Sequence, residues 1–235
     1  MSFENYLRLH KLGKLKEAEN GYRDLINHKT LNSLVYTSLG LICIKTNREK
    51  EAAKLFNLAI NINPKDITAI NNLGLIYLAK KEYRKAKNYF LDSIRINKNS
   101  KVFLYLGEIY TRLNNFEKAI VNLKESIKIS KHSSALCNLG HLLYLKGEIT
   151  EAEKFTNSAI KYNSKLDIAY NNLGLINLTK GNINNAKNNF FKAIKINKNN
   201  FMAHYNLSSI IDYSKKNLHE KKLIDAYNEA KNNDD

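Results

Sequence analysis

The chain has 235 residues, of which 38 are Lys or Arg and 22 are Asp or Glu, giving a net charge of +16. Its single proline and nine glycines provide too few turn residues for a loop-rich β protein. Two cysteines are too few for a disulfide framework, and with 43% hydrophobic and 26% charged residues the composition excludes a largely disordered chain.

A repeat of 33 or 34 residues runs through the whole sequence and is marked by a recurring Leu-Gly pair. Its glycines are Gly40, Gly74, Gly107, Gly140 and Gly174, and Ser208 continues the series. When this glycine is position 8, the chain divides into seven units: 1–32, 33–66, 67–99, 100–132, 133–166, 167–200 and 201–235. Such a period is the sequence signature of a repeat architecture.

Each unit predicts two antiparallel helices, because apolar residues at positions 4, 7, 8, 11 and at 17, 20, 24, 27, 28 define two helical faces. Glycine at position 8 and alanine at position 20 indicate close approach of the two helix backbones. Gly13, Gly147 and Gly181 at position 15 predict the turn between the helices. We expect N-caps on the first helices at Asp66, Ser100, Ser133 and Asp167.

The two ends of the chain depart from the pattern. The first unit lacks its opening residues, and the last unit replaces the glycine by Ser208 and the alanine by Glu220. Residues 218–231 predict either a capping helix with a polar outer face or an ordinary repeat helix that has diverged.

These features resemble the tetratricopeptide repeat family. Six residues of the second unit stand at the spacings of the family signature: Leu39, Gly40, Ala52, Phe56, Ala59 and Pro64. The Trp that the family usually has at position 4 is absent, and Pro occurs at position 32 only once. The resemblance implies an all-α fold, a right-handed α-solenoid of tandem antiparallel helix pairs that forms one array over 1–235.

The resemblance also implies that positions 2, 5, 6, 9, 12 and 13 face a concave groove. Carried onto this sequence, they give the candidate peptide-binding residues Asn71, Asn72, Lys101, Tyr105, Arg112, Asn138, His141, Asn171, Asn172, Tyr205 and Asn206. Asn at position 6 resembles the asparagine ladder of the O-linked N-acetylglucosamine transferases, in which side-chain amides pair with a peptide backbone. Composition offers an alternative, because 35 residues are Asn and such a bias is typical of an AT-rich genome.

Other groove features restrict the class of ligand that we expect. The two-carboxylate clamp of chaperone adaptors is not supported, because position 5 is never Lys. Leu75, Leu78, Leu175 and Leu178 in the groove favour an apolar ligand or an amphipathic helix, unless adjacent units bury them. Cys137 and His141 lie at i, i+4 spacing, but without a second pair we interpret them as groove residues rather than metal ligands.

The function predicted is that of a non-enzymatic scaffold without cofactor or metal, because no catalytic motif is present and repeats fill the chain. We expect it to bind a neutral or acidic protein segment in the groove. Two alternatives stay open: RNA or polyanion binding through the basic surface, and self-association as a homo-oligomer. The charged first residues and the lack of an apolar stretch of about 18 residues predict a cytosolic protein with no membrane partner.

Overall fold

The computed structural model describes residues 2–29, 31–211 and 221, and within these ranges it contains helices and turns but no strand. The described part contains thirteen helices: α1 (Phe3–Lys11), α2 (Leu15–Asn27), α3 (Ser33–Lys45), α4 (Glu49–Ile62), α5 (Ile67–Ala79), α6 (Tyr83–Ile96), α7 (Ser100–Arg112), α8 (Phe116–Ile129), α9 (Ser133–Leu145), α10 (Ile149–Tyr162), α11 (Asp167–Thr179), α12 (Ile183–Ile196) and α13 (Phe201–Ser208). Within the described ranges, no helix has the length and apolarity needed to cross a membrane. The helix predicted over 218–231 lies outside the described residues, apart from residue 221.

The helices belong to two compact units, Met1–Asn115 and Phe116–Asp235. In the first unit, consecutive helices pack against each other from α1 through α7, and α3 also contacts α5. In the second unit, α8 to α13 do the same, and α11 contacts both α9 and α13. Contacts between alternate helices bring the first helices of neighbouring repeats side by side. The predicted all-α fold of tandem antiparallel helix pairs is therefore confirmed.

The glycine at position 8 makes room for an aromatic ring from the second helix of the same repeat. A Cβ atom on Gly40 would lie 2.6 Å from the Phe56 ring, and one on Gly74 would lie 2.7 Å from the Phe90 ring. Both rings are fully buried, so they have little space to move away. The sequence had suggested approach of the two backbones, but in these repeats the closest neighbour is the side chain at position 24.

Close backbone approach occurs where position 24 is small. In the fifth repeat Thr156 replaces the aromatic residue, and a Cβ atom on Gly140 would lie 2.5 Å from the Thr156 Oγ1 and 3.1 Å from both the Ala152 carbonyl oxygen and the Thr156 backbone nitrogen. In this repeat the glycine therefore accommodates both a small side chain and the backbone of the second helix.

The turn between the two helices of a repeat adopts a left-handed backbone at position 15. This position has a positive φ in six repeats, whether or not it is glycine: Gly13 (+77°), Asn47 (+58°), Lys81 (+60°), Asn114 (+56°), Gly147 (+79°) and Gly181 (+77°). Glycine and asparagine adopt this conformation most readily, which explains why they predominate here. The predicted turn is confirmed.

The predicted N-caps are only partly right. Asp66 caps α5, and its Oδ1 accepts a hydrogen bond of 3.0 Å from the Ala69 backbone nitrogen. The other three predicted caps are wrong, because they are the first residues inside their helices: Ser100, Ser133 and Asp167. Asn99 caps α7 from an extended conformation, and its Oδ1 accepts a bond of 2.9 Å from the Lys101 backbone nitrogen.

A network of four charged side chains joins α2 to α4. Glu19 accepts hydrogen bonds of 2.7 Å from Arg23 and of 2.6 and 2.7 Å from Arg48, and Glu51 pairs with both arginines. The Glu19 side chain is only 18% exposed. Its bonds to Arg48, followed by those to Arg23, lower the pKa of Glu19 to about 2, against a partial opposing effect of burial.

We expect Glu19→Gln to lower the free energy of unfolding by about 1–2 kcal/mol at pH 7, because two arginines lose their charged partner. The folded-state pKa lies below the unfolded value of 4.5, so this stabilisation is present above about pH 5 and declines as the pH falls towards 2. Urea unfolding followed by circular dichroism at pH 7, 5 and 3 tests both expectations.

The matched control is Glu17→Gln, because Glu17 is 57% exposed and forms only a surface ion pair with Lys14. Its effect should stay within about 0.5 kcal/mol at each pH. Equal effects of the two substitutions at pH 7 would contradict a stabilising role for the network.

Candidate functional site

The predicted groove residues lie on the first helices of the repeats, but the asparagines among them have different surroundings. In the second compact unit three of them connect neighbouring repeats: Asn171, Asn172 and Asn206. Asn206 Nδ2 donates a hydrogen bond of 2.9 Å to Asn171 Oδ1, and Asn172 Nδ2 donates one of 3.4 Å to Cys137 Sγ. In each pair the residue at position 6 of one repeat reaches position 5 of the repeat before it.

These three asparagines are buried, with exposures of 6% for Asn171, 5% for Asn172 and 8% for Asn206. Their burial differs from the solvent exposure that side chains facing an open groove would have. Hydrogen bonding explains why polar side chains are tolerated between two helices. Their role in this structure is to hold first helices together.

In the first compact unit the amides make different bonds. Asn72 is half-buried, and its Nδ2 donates a hydrogen bond of 2.8 Å to the Thr68 carbonyl oxygen on its own helix. Asn71 is half-buried, and its Oδ1 is enclosed without a hydrogen-bond donor among the described residues. Position 6 of the next repeat is Tyr105, whose ring stacks on Phe90 with centroids 5.2 Å apart. The amide series is thus interrupted at Tyr105.

The pair Cys137 and His141 has properties that disfavour a metal site. Burial raises the pKa of Cys137 to about 12, so its sulfur is a neutral thiol that accepts the bond from Asn172. Burial also lowers the pKa of His141, whose Nδ1 has no partner in the described part of the chain. Across those same residues, no group of three or more His, Cys, Asp or Glu could hold a metal ion.

The remaining predicted site residues differ in exposure. Asn138, next to Cys137 on α9, is half-buried, whereas Lys101 at the start of α7 is exposed. Tyr205 on α13 is 71% exposed and lies near two further exposed apolar side chains of the same helix, Phe201 (53%) and Met202 (62%). Lys101 and Tyr205 are therefore accessible to a ligand from solvent.

Arg112 is the predicted site residue that lies in a defined concavity. A cavity of about 420 Å³ lies between α5 and α7, and we call it the α5–α7 cavity. Its lining residues are Leu75, Leu78, Ala79, Lys81, Tyr83, Glu108 and Arg112. It therefore combines an apolar floor with two cations and one carboxylate.

The apolar side of this cavity is firmly supported. Leu78 and Tyr83 pack against a core cluster that includes the fully buried residues Ala86, Phe90 and Leu106. Leu75 is 36% exposed and adds apolar surface on the solvent side. Side chains fixed from beneath lose little conformational freedom when a ligand binds.

Sequence reasoning missed two of the lining residues, Lys81 and Tyr83. They stand at positions 15 and 17, outside the register positions assigned to the groove. Lys81 has a left-handed backbone with φ of +60° in the turn between α5 and α6, and Tyr83 is the first residue of α6. The sequence signal that could have identified Lys81 is its residue type, because position 15 is glycine or asparagine in the other described repeats.

Comparison with known proteins identifies the repeat. The family model described as Tetratricopeptide repeat matches residues 34–66, 67–100, 101–132, 133–166 and 168–200. The uncharacterized protein ycf37 of Pyropia yezoensis is 30% identical over 86 residues, which are 36% of this chain and 48% of that protein. The chain thus spans about half the length of this curated relative.

Two solved structures share the fold. YrrB, a TPR protein with an unusual peptide-binding site, superposes with a TM-score of 0.67 at 21% identity, covering 78% of this chain and 96% of YrrB. Pseudomonas aeruginosa pilF superposes with a TM-score of 0.74 at 14% identity, covering 88% of this chain and 95% of pilF. At these identities the similarity is one of fold.

Proposed function

Because the chain belongs to the tetratricopeptide repeat family, we propose that it is a non-catalytic scaffold that binds a protein segment against the first helices of its repeats. Proteins of this family are generally protein–protein interaction scaffolds. The observation that carries the proposal is the α5–α7 cavity, which opens between two first helices of the first compact unit. We also expect the protein to act in the cytosol.

The composition of the cavity suits a protein ligand. Binding sites combine apolar surface, which supplies affinity, with a few charged groups, which set orientation. Leu75 and Leu78 provide the apolar part, while Arg112 and Glu108 on α7 provide charges of both signs. A volume of about 420 Å³ accommodates one or two side chains of a bound segment.

Only two asparagines of the predicted ladder are included in this proposal. Asn72 and Asn138 are half-buried, and neither is bonded to a neighbouring repeat in the described structure. They are the amides that we propose for contact with a ligand backbone. Asn171, Asn172 and Asn206 are assigned instead to the packing of the second compact unit.

We expect Leu75→Ser to weaken the binding of captured peptides by about tenfold, since it removes apolar contact from the cavity floor. The peptides would be selected from a random dodecapeptide phage library on the immobilised full chain, and their affinities measured by fluorescence polarisation. Leu12→Ser is the matched control, because Leu12 is 65% exposed and lies outside the cavity.

The control variant should bind with unchanged affinity, and circular dichroism should show the same helicity for all three proteins. If no peptide is enriched above the empty matrix, the proposed function fails. Peptides that bind wild type and Leu75→Ser equally would show that a different surface is used.

Polyanion binding is the second candidate function. Residues 80–87 contain five cations, and Lys80, Lys81 and Arg84 have no carboxylate partner among the described residues. Affinity for single-stranded RNA would then fall log-linearly with salt concentration, with a slope that reports the number of phosphates contacted.

Self-association remains a third prediction, which sedimentation at two concentrations would test.

A further inference from the structure

The two cations that line the α5–α7 cavity have no carboxylate partner among the described residues. On the neighbouring helix α6, Lys85 pairs with Glu82 at 2.7 Å and Arg95 pairs with Asp92 at 2.7 Å. Lys81 and Arg112 both line the cavity and make no ion pair within the described part of the chain. The nearby carboxylates Glu82 and Asp92 therefore already have cationic partners on α6 and do not neutralise Lys81 or Arg112.

Glu108 only partly offsets these cations. It lies one helical turn before Arg112 on α7 and lines the same cavity, yet no ion pair joins the two among the described residues. Two unpaired cations and one carboxylate leave the cavity with a positive excess. Low-dielectric walls such as those of Leu75 and Leu78 strengthen this field inside the concavity.

We infer that the α5–α7 cavity binds a protein segment in which an acidic side chain stands next to an apolar one. The apolar side chain lies on Leu75 and Leu78, and the carboxylate lies between Lys81 and Arg112. This inference rests on the proposed function and adds the chemistry of the partner. Charge complementarity carries it, because an apolar ligand alone would leave both cations without a counterion.

The geometry favours an acidic protein segment over a nucleic acid. Binding of single strands depends on aromatic rings that are open for base stacking. Here Tyr83 packs against the core, and the Tyr105 ring is already stacked on Phe90. The leucine floor, in contrast, matches an aliphatic or aromatic side chain of a peptide.

The test compares peptides selected on the wild-type full chain with two charge-reversed variants. Lys81→Glu with Arg112→Glu reverses the two cavity cations. Lys16→Glu with Lys54→Glu is the matched control, because both lysines are exposed, lie outside the cavity and produce the same change in net charge. Circular dichroism confirms that both variants stay folded.

Among the selected dodecapeptides, we expect enrichment of Asp or Glu directly beside an apolar residue. Their affinity should fall by about tenfold or more on the cavity variant and by less than about threefold on the control. Replacing the peptide acid by its amide should cost a similar factor on wild type but raise the affinity for the cavity variant, because it removes the repulsion between the peptide carboxylate and the two introduced glutamates. This change of sign shows that the acid and the two cations interact.

The other outcomes separate the two proposals. Neutral peptides that depend on Leu75 but bind the cavity variant normally would overturn the acidic partner and leave the proposed function intact. No enrichment on wild type would overturn both. Complete displacement of the peptides by polyuridylate, with the control and cavity variants equally affected, would assign the basic surface to polyanions and overturn the inference.

Discussion

Replacing Phe90 with alanine is expected to lower the free energy of unfolding of the first compact unit by about 3–5 kcal/mol. The ring is fully buried, fills the space beside Gly74 and stacks on Tyr105 with centroids 5.2 Å apart. Truncation removes apolar burial and leaves a cavity that the helices α5, α6 and α7 cannot close without shifting. Urea unfolding monitored by circular dichroism measures the loss.

The same substitution at an exposed site provides the control. Phe201 is 53% exposed at the start of α13, so Phe201→Ala should change stability by less than about 1 kcal/mol. Hydrogen exchange adds a local measurement, since amides in α6 and α7 should exchange faster in Phe90→Ala. A loss below 1 kcal/mol for Phe90→Ala would mean that the ring is not the centre of this core.

Adding a methyl group beside the same ring is also expected to lower the free energy of unfolding. The cause in this case is overpacking rather than an empty cavity. Gly74→Ala would place a Cβ atom 2.7 Å from Phe90 Cε1 and 2.9 Å from Cζ. Alanine favours a helix by up to about 1 kcal/mol over glycine, but overpacking a rigid core costs about 1–3 kcal/mol. Since the ring is completely buried and held by Tyr105, we expect a net loss of about 2 kcal/mol.

A double substitution isolates this contact. Leucine at position 90 is smaller at the point of contact, so Gly74→Ala should destabilise the Phe90→Leu protein much less than the wild type. The coupling energy is read from four unfolding curves. Gly147→Ala is the comparison for backbone strain alone, because nothing lies within 4 Å of its Cβ position although its φ is +79°. Additive effects of Gly74→Ala and Phe90→Leu would rule out a steric origin.

Much of the fold follows from local features of the sequence. The 33- or 34-residue spacing of Gly40, Gly74 and their counterparts fixes the number of helix pairs, because each repeat carries the same two apolar faces. Position 15 predicts the turn, and all its described occupants except Lys81 are the residue types that tolerate a positive φ best. These are short-range properties, and a sequence displays them directly.

The hydrogen-bond partners of asparagines at the same repeat position could not be predicted in this way. Asn72, Asn172 and Asn206 share position 6, yet one bonds to its own helix, one to a cysteine and one to an asparagine of the preceding repeat. In two of the three cases the partner of the amide lies on another helix, 35 residues away. A single-repeat pattern does not contain that information, which explains why it did not predict the burial of Asn172 and Asn206.

Local sequence patterns were sufficient to predict the repeat length, the helix pairs, the turns and the family. Tertiary structure decided which polar side chains are consumed in packing and which remain accessible, because burial depends on the residues that neighbouring repeats contribute. It also decided the candidate site. Lys81 and Arg112 are 31 positions apart in the chain and line one cavity only because α5 and α7 both pack on the core around Phe90.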